Sequence, residues 1–194
     1  MSSIVELVTA HLTAGLGPDP QRASVTFLGV EAIDVLRFAD VERGEVVFAT
    51  VGCARHPMHD PSDLAPDPQR GPRAELIVRM RPSAALPGLH RSLATVAAAP
   101  SVEGLILAED SLIDLQEPLW GGAICSAFLL TAEPELADLP LPEPAEPVRF
   151  LRAVPITANE AAWVRLKGAD ALREAWAEGD VDVTDPTRGG VTPA

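Results

Sequence analysis

Ile4, Leu7, Val8 and Leu12 recur at three- and four-residue intervals, with Glu6 and Thr9 between them. That spacing places one apolar stripe on a helix, which is expected to end near Gly15 or Gly17. The period then shortens. Segments 24–28, 33–38 and 45–51 are rich in β-branched or aromatic residues, with Gly29 and the Arg43-Gly44 pair as turns between them. Three adjacent antiparallel strands are predicted, as in a meander. In 45–51 both alternating sets, Val46, Phe48, Thr50 and Val47, Ala49, Val51, are largely apolar. A strand of that kind belongs inside a sheet that is covered on both faces.

Between residues 55 and 72, Pro57, Pro61, Pro66, Pro68 and Pro72 forbid a continuous helix or ladder, so an irregular surface loop is expected. Residues 74–80 read as a strand with Leu76, Val78 and Met80 on one side and Glu75, Ile77 and Arg79 on the other. Leu89, Leu93, Val96 and Ala97 predict a helix over 88–98 that stops at Pro100. Later strands are expected at 105–108 and 124–130, with a turn through Pro118, Trp120, Gly121 and Gly122 between them. Prolines crowd 134–147, a second irregular loop.

Residues 148–156 form the last predicted strand. Thr157-x-x-Glu160 is then a capping box, in which hydroxyl and carboxylate each accept a free backbone N–H at a helix start. Trp163, Leu166, Leu172 and Trp176 supply the apolar stripe that follows, with Gly168 dividing the helix in two. From Gly179 apolar content is too low for independent structure, and a tail lying across the domain is expected. The order of elements lacks regular strand–helix alternation. It predicts an α+β fold, a mixed sheet flanked by helices, as one domain over residues 1–194.

Composition narrows the functional classes. Of 194 residues 47% are hydrophobic but only 4% aromatic, so the core must be built from Leu, Val, Ile and Ala. The formal charge is −13, and Lys167 is the only lysine. Such a surface repels nucleic-acid phosphates and anionic lipids and attracts basic proteins. No apolar run approaches the ~20 residues of a membrane span. Residues 1–16 carry Glu6 and His11 and do not read as a signal peptide. Two cysteines, Cys53 and Cys125, make no disulfide framework, which points to reduced thiols in the cytoplasm.

Candidate chemistry is sparse. Cys53-x-x-His56-x-x-His59, followed by Asp60, offers a thiolate, two imidazoles and a carboxylate for a metal. All lie within eight residues of a proline-containing loop, so a buried Cys53 with solvent-facing histidines is the competing reading. A metal-dependent or cysteine-based enzyme centred there is one alternative function, with His11 or His90 as a distant base for Cys53 or Cys125. No glycine-rich phosphate loop, His-Glu-x-x-His helix or Gly-x-Ser-x-Gly elbow is present. Glu109, Asp110 and Asp114 read as a solvated acidic face. Trp163 and Trp176 read as core, whereas Trp120 either plugs the core end or anchors a protein partner.

Several stretches, taken in order, resemble the bacterial suppressor-of-fused domain family. VVFATVG at 46–52 is similar to the family strand ending in Thr-x-Gly, and RAELIVRMR at 73–81 to its Glu-Leu strand. The turn and strand at 118–130 follow. VRFLRAVPITANE at 148–160 is the most specific piece, and Asp185-Pro-Thr-Arg188 looks like the closing Asp-x-x-Arg element. The resemblance implies a mixed sheet with flanking helices and a protein-binding activity without a cofactor. It implies no catalytic residues. In animals the family's namesake restrains transcription factors by binding them, and bacterial relatives have been proposed as immunity proteins that neutralise toxins. An intracellular binding or inhibitory module is therefore the leading expectation, with a structural homo-oligomer as a further alternative.

Overall fold

A computed structural model describes residues 3–82 and 85–191. In chain order the elements are α1 (Ile4–Leu16), β1 (Gln21–Phe27), β2 (Val30–Asp40), β3 (Glu45–Val51), β4 (Arg73–Met80), α2 (Leu89–Glu103), β5 (Leu112–Asp114), β6 (Cys125–Ala132), β7 (Val148–Thr157), α3 (Ala158–Lys167) and α4 (Ala169–Glu178). The strands form one seven-stranded sheet in the order β1-β2-β3-β4-β7-β6-β5. Every pairing is antiparallel except β4 with β7. The expected α+β class, with a mixed sheet flanked by helices, is the observed one.

Side-chain alternation divides the strands between two cores. Val46, Phe48, Leu76, Val78, Phe128, Leu130 and Leu151 face α2. Val47, Ala49, Ile77 and Phe150 face α1, and Leu129, Val154 and Ile156 on that same side meet α3 and α4. Three layers result, and β3 and β4 lie between them with both faces covered. α1 starts at a capping box in which Ser3 Oγ accepts from Glu6 N at 3.2 Å and Glu6 Oε2 accepts from Ser3 N at 2.9 Å.

Four local expectations need correction. α2 does not stop at Pro100 but runs to Glu103. Proline forfeits its own N–H bond and crowds the carbonyl one turn back, a cost the helix bears here. Gly104, at φ 70°, closes the helix by donating to the carbonyls of Ala99 and Pro100. Residues 105–108 are not a strand; Leu107 is buried and its N–H meets Met58 Sδ at 3.3 Å. The strand beside β6 is Leu112–Asp114 instead. On α3, Leu166 is 78% exposed and Trp163 only half-buried, because the turn at Gly168 redirects the apolar face to Leu172 and Trp176.

The tail beyond Gly179 crosses the domain and is pinned at Arg188. The guanidinium donates to Glu160 Oε1 at 2.8 Å, to Glu160 Oε2 at 3.0 Å and to the carbonyl of Pro155 at 2.9 Å. Asp185 sets up that approach by accepting from the Thr187 N–H and hydroxyl. Glu160, fully buried, also accepts from Thr157 N, Trp176 Nε1 and Val191 N. The capping carboxylate of α3 is thus also the anchor for the tail. A second buried network links Arg79 and Arg152 through Glu133, with Glu135 2.9 Å from Arg79 Nη2.

Candidate functional site

The loop that carries the Cys–His cluster begins where β3 runs out. Gly52 adopts φ 126°, a conformation open to glycine, and a single 3₁₀ turn over Cys53–Arg55 follows. Glu75 from β4 lies directly beneath this turn. Its Oε1 accepts the N–H groups of Gly52 at 2.8 Å and Ala54 at 3.0 Å, and its Oε2 accepts the Thr50 hydroxyl at 2.6 Å. The Thr50 oxygen in turn accepts from Leu76 N. Burial pushes the Glu75 carboxyl above its usual range, and these donors oppose the shift.

Arg73 fixes the loop at both ends. Its Nη1 donates to the carbonyls of Ala54 and Arg55, each at 2.8 Å, and Nη2 reaches Gln69 at 3.4 Å. Met58 is buried, and its N–H donates to Pro72. The expected surface loop therefore has a packed base, and its exposed part is residues 60–70.

Two adjoining cavities open above this base, at the C-terminal end of α2. One, of about 270 Å3, is lined by Gly29, Glu31, Ile33, Gly52, Arg55 and Ala98 among others. The other, of about 470 Å3, is lined by Cys53, His59, Asp60, Asp63, Pro61 and Pro100 among others. His56 and Ser101 border both. The second wall is close-fitting: a Cβ on Gly104 would stand 2.5 Å from Pro61 Cγ. Asp60 and Asp63 stand in this lining among Pro57, Pro61, Pro66 and Pro100, so carboxylates and apolar rings share the wall.

Cys53, His56 and His59 border one cavity but do not converge as ligands. Cys53 is buried, whereas His56 is exposed with Nε2 3.1 Å from Glu31 Oε2. Among the described residues no group of three or more His, Cys, Asp or Glu side chains is arranged to hold a metal ion. Burial, helped by the charge of Glu75, pushes the Cys53 thiol well above its usual range. Burial likewise raises Cys125 to about 11, with Arg188 opposing and Glu160 adding. A nucleophilic thiolate is disfavoured at both positions. His59→Ala is expected to change stability by less than about 0.5 kcal/mol, and zinc to leave the melting temperature unmoved. A zinc-dependent rise lost in the variant would reinstate the metal reading.

Trp120 is 6% exposed and packs in the α2-side core with Leu119 and Leu93. Of its two sequence readings the structure places it in the core, leaving only an edge for a partner. Glu109 and Asp110 are engaged by Arg149 and Arg173, and Asp114 by Arg165. Glu75 and Arg73 were missed as architects of the cleft. Their only trace in the sequence was a pair of polar residues two apart, on one face of a largely apolar strand.

Among the described residues no helix is long and apolar enough to cross a membrane. The family model for the suppressor of fused protein matches residues 29–189. The fold is similar to that of a suppressor of fused homologue from Neisseria gonorrhoeae, with a TM-score of 0.70 at 15% identity over 97% of both chains. A chain of the Sufu–Fu complex gives 0.67 at 16% identity, covering 97% of this chain and 92% of that one. Drosophila Suppressor of Fused gives 0.62 at 17% identity, covering 97% of this chain and 50% of that one. No curated protein matches the sequence.

Proposed function

Because the chain belongs to the suppressor of fused family, we propose that it is a protein-binding module that acts by occupying a partner rather than by turning over a substrate. The observation that carries this reading is the cleft at the end of α2. It is walled by prolines, lined by Ile33, Ala98, Glu31, Asp60 and Asp63, and floored by a hydrogen-bonded turn. Apolar contacts ringed by carboxylates favour a protein segment that presents basic and apolar side chains together. The net charge of −13 steers such a partner from a distance. The Sufu–Fu complex is a precedent for protein binding on this fold. Neutralising a basic toxin, or restraining a regulatory protein, is the role that fits. The two buried thiols suit a reducing, cytoplasmic setting.

The test is calorimetry against proteins encoded beside this chain and those recovered with it. A saturable complex is expected. Glu31→Lys with Asp63→Lys should weaken it at least tenfold, about 1.4 kcal/mol, and more at low salt than at high. A complex indifferent to both changes would move the site elsewhere. The absence of any saturable partner would remove the binding reading.

A further inference from the structure

The seven-stranded sheet has two edges, and they are built differently. β5 is three residues long, and its Asp114 is bound to Arg165. Short length and charge are the usual guards of an edge strand. β1 has neither guard. It is seven residues long, contains no proline or lysine, and turns the charge of Arg22 back onto Asp34 of β2 at 3.2 Å. Its pairing with β2 runs without a break from Gln21 to Val25. The irregularity beyond adds the extra residue to β2, since Val25 faces Ile33 and Phe27 faces Val30. The outer side of β1 is therefore a regular, unpaired row of backbone donors and acceptors. Ala23, Val25 and Phe27 stay half-buried there, and Leu28, at the hairpin tip, is 104% exposed.

We propose that this edge pairs with the β1 of a second copy of the chain, antiparallel across a two-fold axis through Ser24, to give one continuous sheet. An axis perpendicular to the sheet sets residues of the same face opposite each other. Centred on Ser24, it sets Gln21 against Phe27, Arg22 against Thr26 and Ala23 against Val25, twice over. Pro20 then falls opposite Leu28 at both ends, giving the exposed leucine an apolar neighbour. No like charges meet, because residues 20–30 contain no Asp or Glu in a chain that carries 28. The sequence of the edge is thus compatible with itself where most of the surface is not. Seven paired residues fall short of the roughly 20–30 a side of a standard interface, so the dimer is weak and self-repulsion opposes it. Salt should tighten it by screening that repulsion.

Single cysteines test the register. In Ser24→Cys the two introduced thiols would face each other across the axis, on Cα atoms about 4.5–5.5 Å apart and within disulfide range. Cysteines introduced by Arg22→Cys or Thr26→Cys would be offset from their own copies by four residues, about 13 Å, which a disulfide does not span. Cys53 and Cys125 are buried and do not compete. Under mild oxidation Ser24→Cys is expected to cross-link at least about ten times faster than either of the other two variants. Sedimentation equilibrium of the unaltered protein should show a monomer–dimer equilibrium that shifts to dimer as salt is raised. Equal cross-linking at all three positions, or a monomer at every concentration and salt, would overturn the proposal.

Discussion

Replacing Arg188 by alanine is expected to lower the unfolding free energy by about 3–5 kcal/mol, the range for stranding one charge of a buried pair. The Arg188 and Glu160 side chains are 7% and 0% exposed, so solvent cannot take the place of the lost partner. Glu160 would keep its donors Thr157 N, Trp176 Nε1 and Val191 N, while the tail would lose its hold on the Pro155 carbonyl. Equilibrium denaturation of the variant checks the figure. A loss below about 1 kcal/mol would mean that the tail is not docked in solution. The pair also predicts an acid limb. Burial raises the Glu160 carboxyl, but hydrogen bonds from Arg188, Thr157 and Trp176 outweigh it and hold the folded value below 4.5. A depressed folded value stabilises the fold fully above the unfolded pKa, and the gain is lost as pH falls through the folded one. Denaturation midpoints should therefore drop steeply below about pH 4.5, less steeply in Arg188→Ala.

Glu75→Ala is expected to cost a similar amount, about 3–5 kcal/mol, because two backbone N–H groups and a hydroxyl lose their acceptor in a site without solvent. Glu75→Gln keeps the shape and both N–H acceptors and should stay within about 1 kcal/mol of the parent. Its pH behaviour is opposite in sign to that of Glu160. The folded Glu75 carboxyl titrates above 4.5, so the fold favours the protonated form. Stability from this group is present at low pH and declines as pH rises from the unfolded value through the folded one. The Thr50 hydroxyl serves either state, donating to the carboxylate or accepting from the acid. Stability of Glu75→Gln relative to the parent should rise across that window. Flat relative stability from about pH 4 to 8 would show that Glu75 titrates normally. Since Glu75 holds the floor of the cleft, Glu75→Ala should also weaken partner binding, and Glu75→Gln should not.

Local patterns were legible where one physical rule dominated. The 3.6-residue stripe gave α1, the β-branched runs gave the β1–β2–β3 meander and β7, and the Thr157–Glu160 capping box marked the start of α3. Pro100 misled because a proline forbids one hydrogen bond rather than a helix, and seven residues of α2 were already packed on the sheet. Residues 105–108 misled because an apolar run reports burial, not pairing. Which of two nearby runs joins a ladder depends on the geometry of the chain around it. Cys53, His56 and His59 share a loop, but the buried turn points the thiol inward and leaves His56 outside.

Alternation and capping lie within a few residues of one another, so the sequence alone determined most of the elements, the two-sided burial of β3, the acidic surface and the family. The parallel pairing of β4 with β7, the cleft over Glu75 and the clasp between Glu160 and Arg188 join residues 21 to 75 positions apart. No local period records such distances. Only the tertiary structure decided them, because a buried charge is tolerated solely where the fold delivers its partners.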